Sequence, residues 1–287
     1  MEIFISTGGY RNIEGTKIFH QLRSVGIKNV EFSGGKSIKN FEKSIKKFKY
    51  NSQIHNYFPP PKKPFVFNLS SENKQIASKS LNLVKKNIIL SKKLGAKYYS
   101  FHAGFRVDPN PKQLGKKFKK TVLIKKEKAL KNFYNRLKVL IKFAKKYEIK
   151  LLIENNVITK KNFQNFKTNP FLLTTPGEIK SFFKEIRKFN DYVGLLLDAA
   201  HLKVSSKTLG FHLEKAHNSL KKLIIAYHLS DNDGKSDSNK KFTSRSWFWK
   251  NFKKQVEYVT IEVYGISMNE YLKLQNLIKR KCADKYE

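Results

Sequence analysis

The chain alternates from end to end between short apolar runs and longer stretches with apolar residues at helical spacing, and that alternation narrows its fold more than any other feature. Eight runs stand out: Glu2 to Ser6, Asn29 to Phe32, Gln53 to Tyr57, Gly95 to Gly104, Lys150 to Asn156, Val193 to Asp198, Leu223 to Asp231 and Tyr258 to Gly265. Between them lie helical patterns. Ile18, Phe19, Leu22 and Val25 mark one face, Phe41, Ile45 and Phe48 another, and Leu130, Phe133, Leu137, Leu140, Ile141 and Ala144 a third. The third face belongs to a helix predicted over about Val122–Tyr147, and a further helix is predicted over about Ser71–Leu94. Others are predicted from Pro176 to about Phe189, over Phe211–Leu220 and over Met268–Lys281. After the seventh run a polar loop reaches Val256 and leaves room for one short helix at most.

Strand–helix repetition of this kind calls for parallel strands joined by crossover helices. Val193-Gly194-Leu195-Leu196-Leu197 is apolar at every position, as a strand covered on both faces should be. Eight units in 287 residues fit an α/β chain folded as a single (β/α)8 TIM barrel spanning residues 1–287 better than a doubly wound sheet. No Gly-x-Gly-x-x-Gly opens a helix and there is no P-loop, so nothing points to dinucleotide or nucleotide binding.

In such a barrel the chemistry sits where the strands end, and these strands end in ionisable residues. The third run offers His55, the fourth His102 and the fifth Glu154. The sixth offers Asp198 with His201, the seventh His228 with Asp231, and the eighth Glu262. Four of the seven histidines stand at strand ends. Glu154 and Asp198 each follow three apolar residues, and a carboxylate so placed must be paired or bound to metal to avoid a desolvation cost of several kcal/mol. Mixed imidazole and carboxylate ligands suit Zn²⁺, Mn²⁺, Co²⁺ or Fe²⁺ rather than Ca²⁺. His20, His212 and His217 lie on helical patterns and read as surface or packing residues, and Glu31, in a weak strand, is left outside the expected set.

The formal charge of +37 has two explanations. It is the footprint of a nucleic-acid-binding protein, or it follows from a composition rich in Lys, Asn, Ile, Phe and Tyr, whose codons are all AT-rich. Runs such as Lys116-Lys117-Phe118-Lys119-Lys120 read as solvated helix flanks. The single Cys282 excludes an intrachain disulfide and a thiolate-rich metal site. No apolar run approaches the ~18 residues of a membrane span, and Met1–Ser6 goes straight into a strand pattern without a basic leader. A cytoplasmic protein is expected.

The motifs His55-x-Tyr57, Asn68-Leu69, Leu94-Gly95-Ala96, Phe101-His102-x-Gly104, Ile153-Glu154-Asn155, Leu197-Asp198-x-x-His201, His228-Leu229-x-Asp231 and Ile261-Glu262 occur in an order and at separations that resemble the xylose isomerase-like barrel superfamily. That superfamily includes sugar isomerases and epimerases and the endonuclease IV type of AP endonuclease. The resemblance implies that Glu154, Asp198, His228 and Glu262 hold a divalent metal. It implies that His55 and His102, with Glu154 bridging, match a second metal position of the nuclease branch, and that His201 matches a ligand of its third. The other two ligands of that third metal come from a Ser-Arg-x-Asp-Arg-His stretch, whose nearest counterpart here is Ser244-Arg245-Ser246-Trp247-Phe248-Trp249. With Trp at both ligand positions, no third metal is expected.

Two activities follow from the resemblance. The first is a Zn-, Mn- or Co-dependent isomerase or epimerase of a small sugar or sugar phosphate, working through a metal-stabilised enediolate. Glu154 and Glu262 would act there as base and acid, and His201 would orient a substrate hydroxyl. Trp247 or Trp249 would cover the sugar and Arg245 would receive a phosphate. The alternative is a two-metal phosphodiesterase on abasic DNA that puts the basic surface to use. The intact Glu154, Asp198, His228, Glu262 set speaks against a third possibility, a barrel kept only as a binding scaffold.

Overall fold

The computed structural model describes residues 1–10, 13–36, 51–189 and 191–283. Eight parallel strands close into a barrel in sequence order, β1 (Glu2–Ser6), β2 (Val30–Phe32), β3 (Ser52–His55), β4 (Tyr98–His102), β5 (Lys150–Glu154), β6 (Val193–Asp198), β7 (Ile224–Leu229) and β8 (Tyr258–Ile261), with β8 pairing back to β1. Eight α-helices occur among the described residues: α1 (Gly15–Ser24), α2 (Lys74–Lys93), α3 (Lys126–Lys145), α4 (Lys160–Phe166), α5 (Pro176–Glu185), α6 (Ala199–Leu209), α7 (Leu213–Leu220) and α8 (Met268–Cys282). The helix expected around Phe41, Ile45 and Phe48 lies outside the described residues.

Several helix starts follow their local signals. Thr175 and Glu178 form a reciprocal capping box at α5 with Pro176 in its first turn, and Ser267 and Glu270 do the same at α8. Two departures from expectation stand out. Helix α6 begins directly at the end of β6, where the sequence pattern names no helix before Phe211. The Lys116–Lys120 run is loop rather than helix flank, with Phe118 anchored among Phe166, Phe171 and Ile158 while its lysines project outward. Lysines occupy the exposed faces of α2 and α3 as well as the mouth loops, so the positive charge is spread rather than gathered at the mouth. No described helix is long and apolar enough to cross a membrane.

Strand side chains alternate between the barrel interior and the helical layer, and this period of two creates the site. The outward set, including Val30, Phe32, Leu151, Ile153, Leu195, Leu197 and Tyr227, packs under the helices. The inward set begins with an apolar plug of Phe4, Leu152, Leu196, Ala226 and Tyr258. Two residues further along the same strands, the inward positions are Glu154, Asp198, His228 and, from Tyr258 by way of Thr260, Glu262. A dry floor thus sits directly beneath a layer of ionisable groups. Gly194 keeps β6 close to β7 at a register shift between Leu195 and Leu196, since a Cβ there would stand 2.5 Å from Ile225 Cγ1.

Outside the barrel, α7 delivers the fully buried His217 onto β7, where its Nε2 meets the Tyr227 hydroxyl at 2.8 Å. Burial, helped by Lys221, pushes this imidazole down to about 4. A histidine whose folded value lies below its unfolded one costs stability as pH falls, because only the unfolded chain takes up the proton. Between pH 7.5 and 4.5, His217→Phe is therefore expected to lose about 2.5 kcal/mol less stability than the wild type. Urea unfolding at the two pH values measures it, and equal losses in both proteins would show that His217 does not titrate this way.

Candidate metal centre

Glu154 is the hub of the ionisable layer. It is fully buried at the end of β5, its Oε2 lying 2.9 Å from His102 Nδ1 and 3.2 Å from His55 Nε2, and its Oε1 lying 3.2 Å from His228 Nδ1. Glu262, just past β8, brings Oε2 to 3.0 Å from the same His228 nitrogen. Asp198 completes the group, and the ligand atoms of Glu154, Asp198, His228 and Glu262 all lie within 4.8 Å of one another. His55, His102 and Glu154 form a second group by the same measure, sharing Glu154 with the first.

The surrounding chain holds these groups in place. Asn155 accepts from the Asp198 amide at 2.8 Å and donates to its carbonyl, tying the ends of β5 and β6 together. Asp198 caps α6, its Oδ1 accepting from the His201 amide at 2.7 Å, which leaves Oδ2 directed at the cluster. His55 has Ser100 Oγ at 2.9 Å from Nδ1 and the Asn56 amide on Nε2. Tyr264 lies over Gly8 and Gly9, either of which would bring a Cβ within 2.7 Å of it, and its hydroxyl donates to Glu262 Oε1 at 2.7 Å.

Electrostatics in this dry layer are strongly coupled. Burial raises the Glu154 carboxyl, but the imidazoles of His102, His55 and His228 outweigh it and hold the group well below the ordinary carboxylate range. Burial likewise opposes ionisation of Glu262, yet His228 brings it to about 2. Asp198 goes the other way: burial pushes it to about 8, with His201 offsetting only part of that and Glu154 adding to it.

The donor chemistry fits a divalent cation. Both Glu154 oxygens, Asp198 Oδ2, His228 Nδ1 and His102 Nδ1 are buried without an aligned hydrogen-bond partner, although nitrogens and oxygens stand close together. Buried polar atoms left so are rare, and a cation held by either group would accept the lone pairs of that group's members.

Three further residues lie outside the expected set. Glu31 is the middle residue of β2, fully buried and 3.0 Å from His228 Nε2. Its signal is the pair Val30 and Phe32 on either side, both facing the helices, which turns the residue between them inward. Tyr264 can be found from Gly8-Gly9 only with the fold in hand. The third is Asp237, whose Oδ2 lies 3.2 Å from His201 Nε2, while the His201 Nδ1 side meets the Asn155 carbonyl at 2.9 Å. The sequence leaves His201 without an acidic partner, because Ser244–Trp249 carries Trp at the acid position; the structure supplies one in Asp237, earlier in the loop. Two residues on, where the resemblance asks for His, stands Asn239, whose amide donates to the Glu262 carbonyl.

The expected substrate contacts by tryptophan need correction. Trp247 packs on His217, and Trp249 on Phe242, Phe248 and Phe252, with Phe252 stacked on Tyr227. Tyr227 faces the helical layer, so both indoles belong to the outer wall rather than the mouth. Arg245 is exposed at the start of the same segment. Asp231, another strand-end carboxylate, is taken up by Lys203 Nζ at 2.6 Å and Ser246 Oγ at 2.7 Å. His20 is exposed on α1, and His212 caps α7.

Fold and site together define a (β/α)8 barrel with a buried carboxylate–imidazole centre able to hold a divalent cation. Over residues 19–257 the chain matches the xylose isomerase-like TIM barrel family, and it belongs to that family. Among solved structures it is similar to a D-tagatose 3-epimerase-like protein, with a TM-score of 0.69 and 16% identity over 99% of this chain and 100% of that one. It is similar to the TTHB071 protein from Thermus thermophilus soaked with ZnCl2 (TM-score 0.61, 17% identity, 98% and 99% covered). It also resembles the IOLI protein with a bound zinc atom (TM-score 0.63, 14% identity, 98% and 96% covered). At these identities the likeness is one of fold. No curated protein matches the chain.

Proposed function

We propose that the protein is a divalent-metal-dependent isomerase or epimerase of a sugar or sugar phosphate. The observation that carries this reading is the division of labour between two carboxylates on β5 and beyond β8. Both reach His228 Nδ1, but their other oxygens differ: Glu154 Oε2 is held between two imidazoles, whereas Glu262 Oε1 has the neutral Tyr264 hydroxyl at the rim. Glu262 is thus the better placed of the two to take up and return a proton, with Glu154 facing it from the other side of the barrel. Glu154, Asp198, His228 and Glu262 would hold a Zn²⁺, Mn²⁺ or Co²⁺ ion, which would supply the electrophilic pull that makes a proton beside a carbonyl labile. His201, steadied by Asn155 and Asp237, orients a substrate hydroxyl. Lysines of the mouth loops, rather than Arg245, offer charge to a phosphate. The lone Cys282, a free thiol, suits a reducing compartment such as the cytoplasm.

The His55, His102 and Glu154 group favours one second reading, a two-metal phosphodiesterase acting on abasic DNA. Metal analysis of the purified protein, together with incubation on a duplex carrying one abasic site, tests between them. The expected result is one tightly held divalent ion per chain and an intact duplex. Two or three tightly held zinc ions with strand cleavage would replace the first reading by the second.

A further inference from the structure

Among the described residues, His228 is the one imidazole of the cluster that meets glutamates on both of its nitrogens. Its Nδ1 faces Glu154 Oε1 and Glu262 Oε2. Its Nε2 lies 3.0 Å from Glu31 Oε1 and 3.2 Å from Glu31 Oε2. Glu31 is itself fixed from β8 by the Thr260 hydroxyl, which donates to Oε2 at 3.0 Å. His228, Glu31 and Thr260 are fully buried, so no water competes for these bonds. A neutral imidazole carries one N–H, and the nitrogen that keeps it is set by the acceptor on that side. With an acid fixed at Nε2, the lone pair is left on Nδ1, where the other carboxylates converge.

We propose that Glu31 is a positioning residue that makes His228 a metal ligand through Nδ1. It holds the proton on Nε2, fixes the ring plane and raises the basicity of the ligating nitrogen, as outer carboxylates do for metal-bound histidines. The inference rests on the reading that this site holds a divalent cation. Glu31 Oε2 is engaged by His228 Nε2 and the Thr260 hydroxyl, while Oε1 faces the same nitrogen and stands with His55 and His228 in a third group of candidate ligand atoms, so the test must separate positioning from direct ligation.

The test is the Zn²⁺ dissociation constant, measured by competition with a chromophoric chelator, alongside the visible spectrum of the Co²⁺-loaded protein. Glu31→Leu removes the acceptor at similar volume and is expected to weaken Zn²⁺ binding about 10–100-fold. It should also alter the Co²⁺ band, a change that a merely structural role would not produce. Glu31→Gln keeps an acceptor oxygen and should fall between Glu31→Leu and the wild type. Thr260→Val leaves Glu31 in place but unlatched, and should weaken binding several-fold even if Glu31→Leu does not fold. Unchanged affinity and spectrum in these variants would overturn the proposal, and so would loss of one whole ion with the rest bound as before, since that would make Glu31 a ligand. A wild-type protein that binds none of Zn²⁺, Co²⁺ or Mn²⁺ would instead overturn the reading of the site, and this inference with it.

Discussion

Glu154→Gln is expected to abolish tight cation binding and, with it, the stabilisation that a cation confers. At a metal concentration about 1,000-fold above the dissociation constant, binding to the folded state alone is worth about 4 kcal/mol. For a chain of this size that corresponds to a rise in melting temperature on the order of 10 °C. Glu154 is the carboxylate shared by two of the three candidate ligand groups among the described residues, with imidazoles from β3, β4 and β7 around its two oxygens. Replacing one oxygen by an amide puts N–H groups where lone pairs are needed. Thermal unfolding of the chelator-treated protein, with and without added Zn²⁺ or Mn²⁺, should show the rise in the wild type and none in Glu154→Gln. An equal rise in both would remove Glu154 from the metal centre.

Glu262→Gln is expected to separate cation binding from catalysis. The amide retains an oxygen that can face the centre, so cation binding weakens but can be saturated. It cannot accept or return a proton, and loss of a positioned acid–base group costs roughly 10²–10⁴-fold in turnover, about 3–5 kcal/mol of barrier. At saturating metal the loss should fall on kcat, with KM changed little. A variant that regains wild-type turnover once metal is saturating would show Glu262 to be a ligand only. His228 and Tyr264, which hold the two Glu262 oxygens at 3.0 and 2.7 Å, would then have no catalytic consequence through it.

The strands and the residues at their ends are legible because two simple periods write them into the sequence. An apolar run that stops at a carboxylate, as before Glu154 and Asp198, marks both the strand and the inward position at its rim. Glu31 is harder, because β2 has only three residues and gives too little alternation to show which face is which. Helix α6 escapes a pattern reading for the opposite reason. Ala199, Ala200, His201, Leu202, Val204, Ser205 and Ser206 are all buried, so the segment lacks the polar stripe that betrays a surface helix. Asp237 and the two tryptophans depend on the path of the loop after β7, and nothing periodic records whether such a loop folds over the mouth or down the outer wall. In the structure it does both in turn, Asp237 reaching His201 and Trp247 reaching His217.

On the proposed function, the carboxylates of this centre move a proton at a carbon beside a sugar carbonyl. The direct measurement is the position of deuterium in ketoses and ketose phosphates recovered from incubation with the metal-loaded wild-type protein in deuterated water. The expected result is one deuterium at the carbon next to the carbonyl, appearing with isomerised or epimerised product and absent after chelation. Product formed without deuterium, or no exchange into any sugar while an abasic duplex is cut, would contradict it.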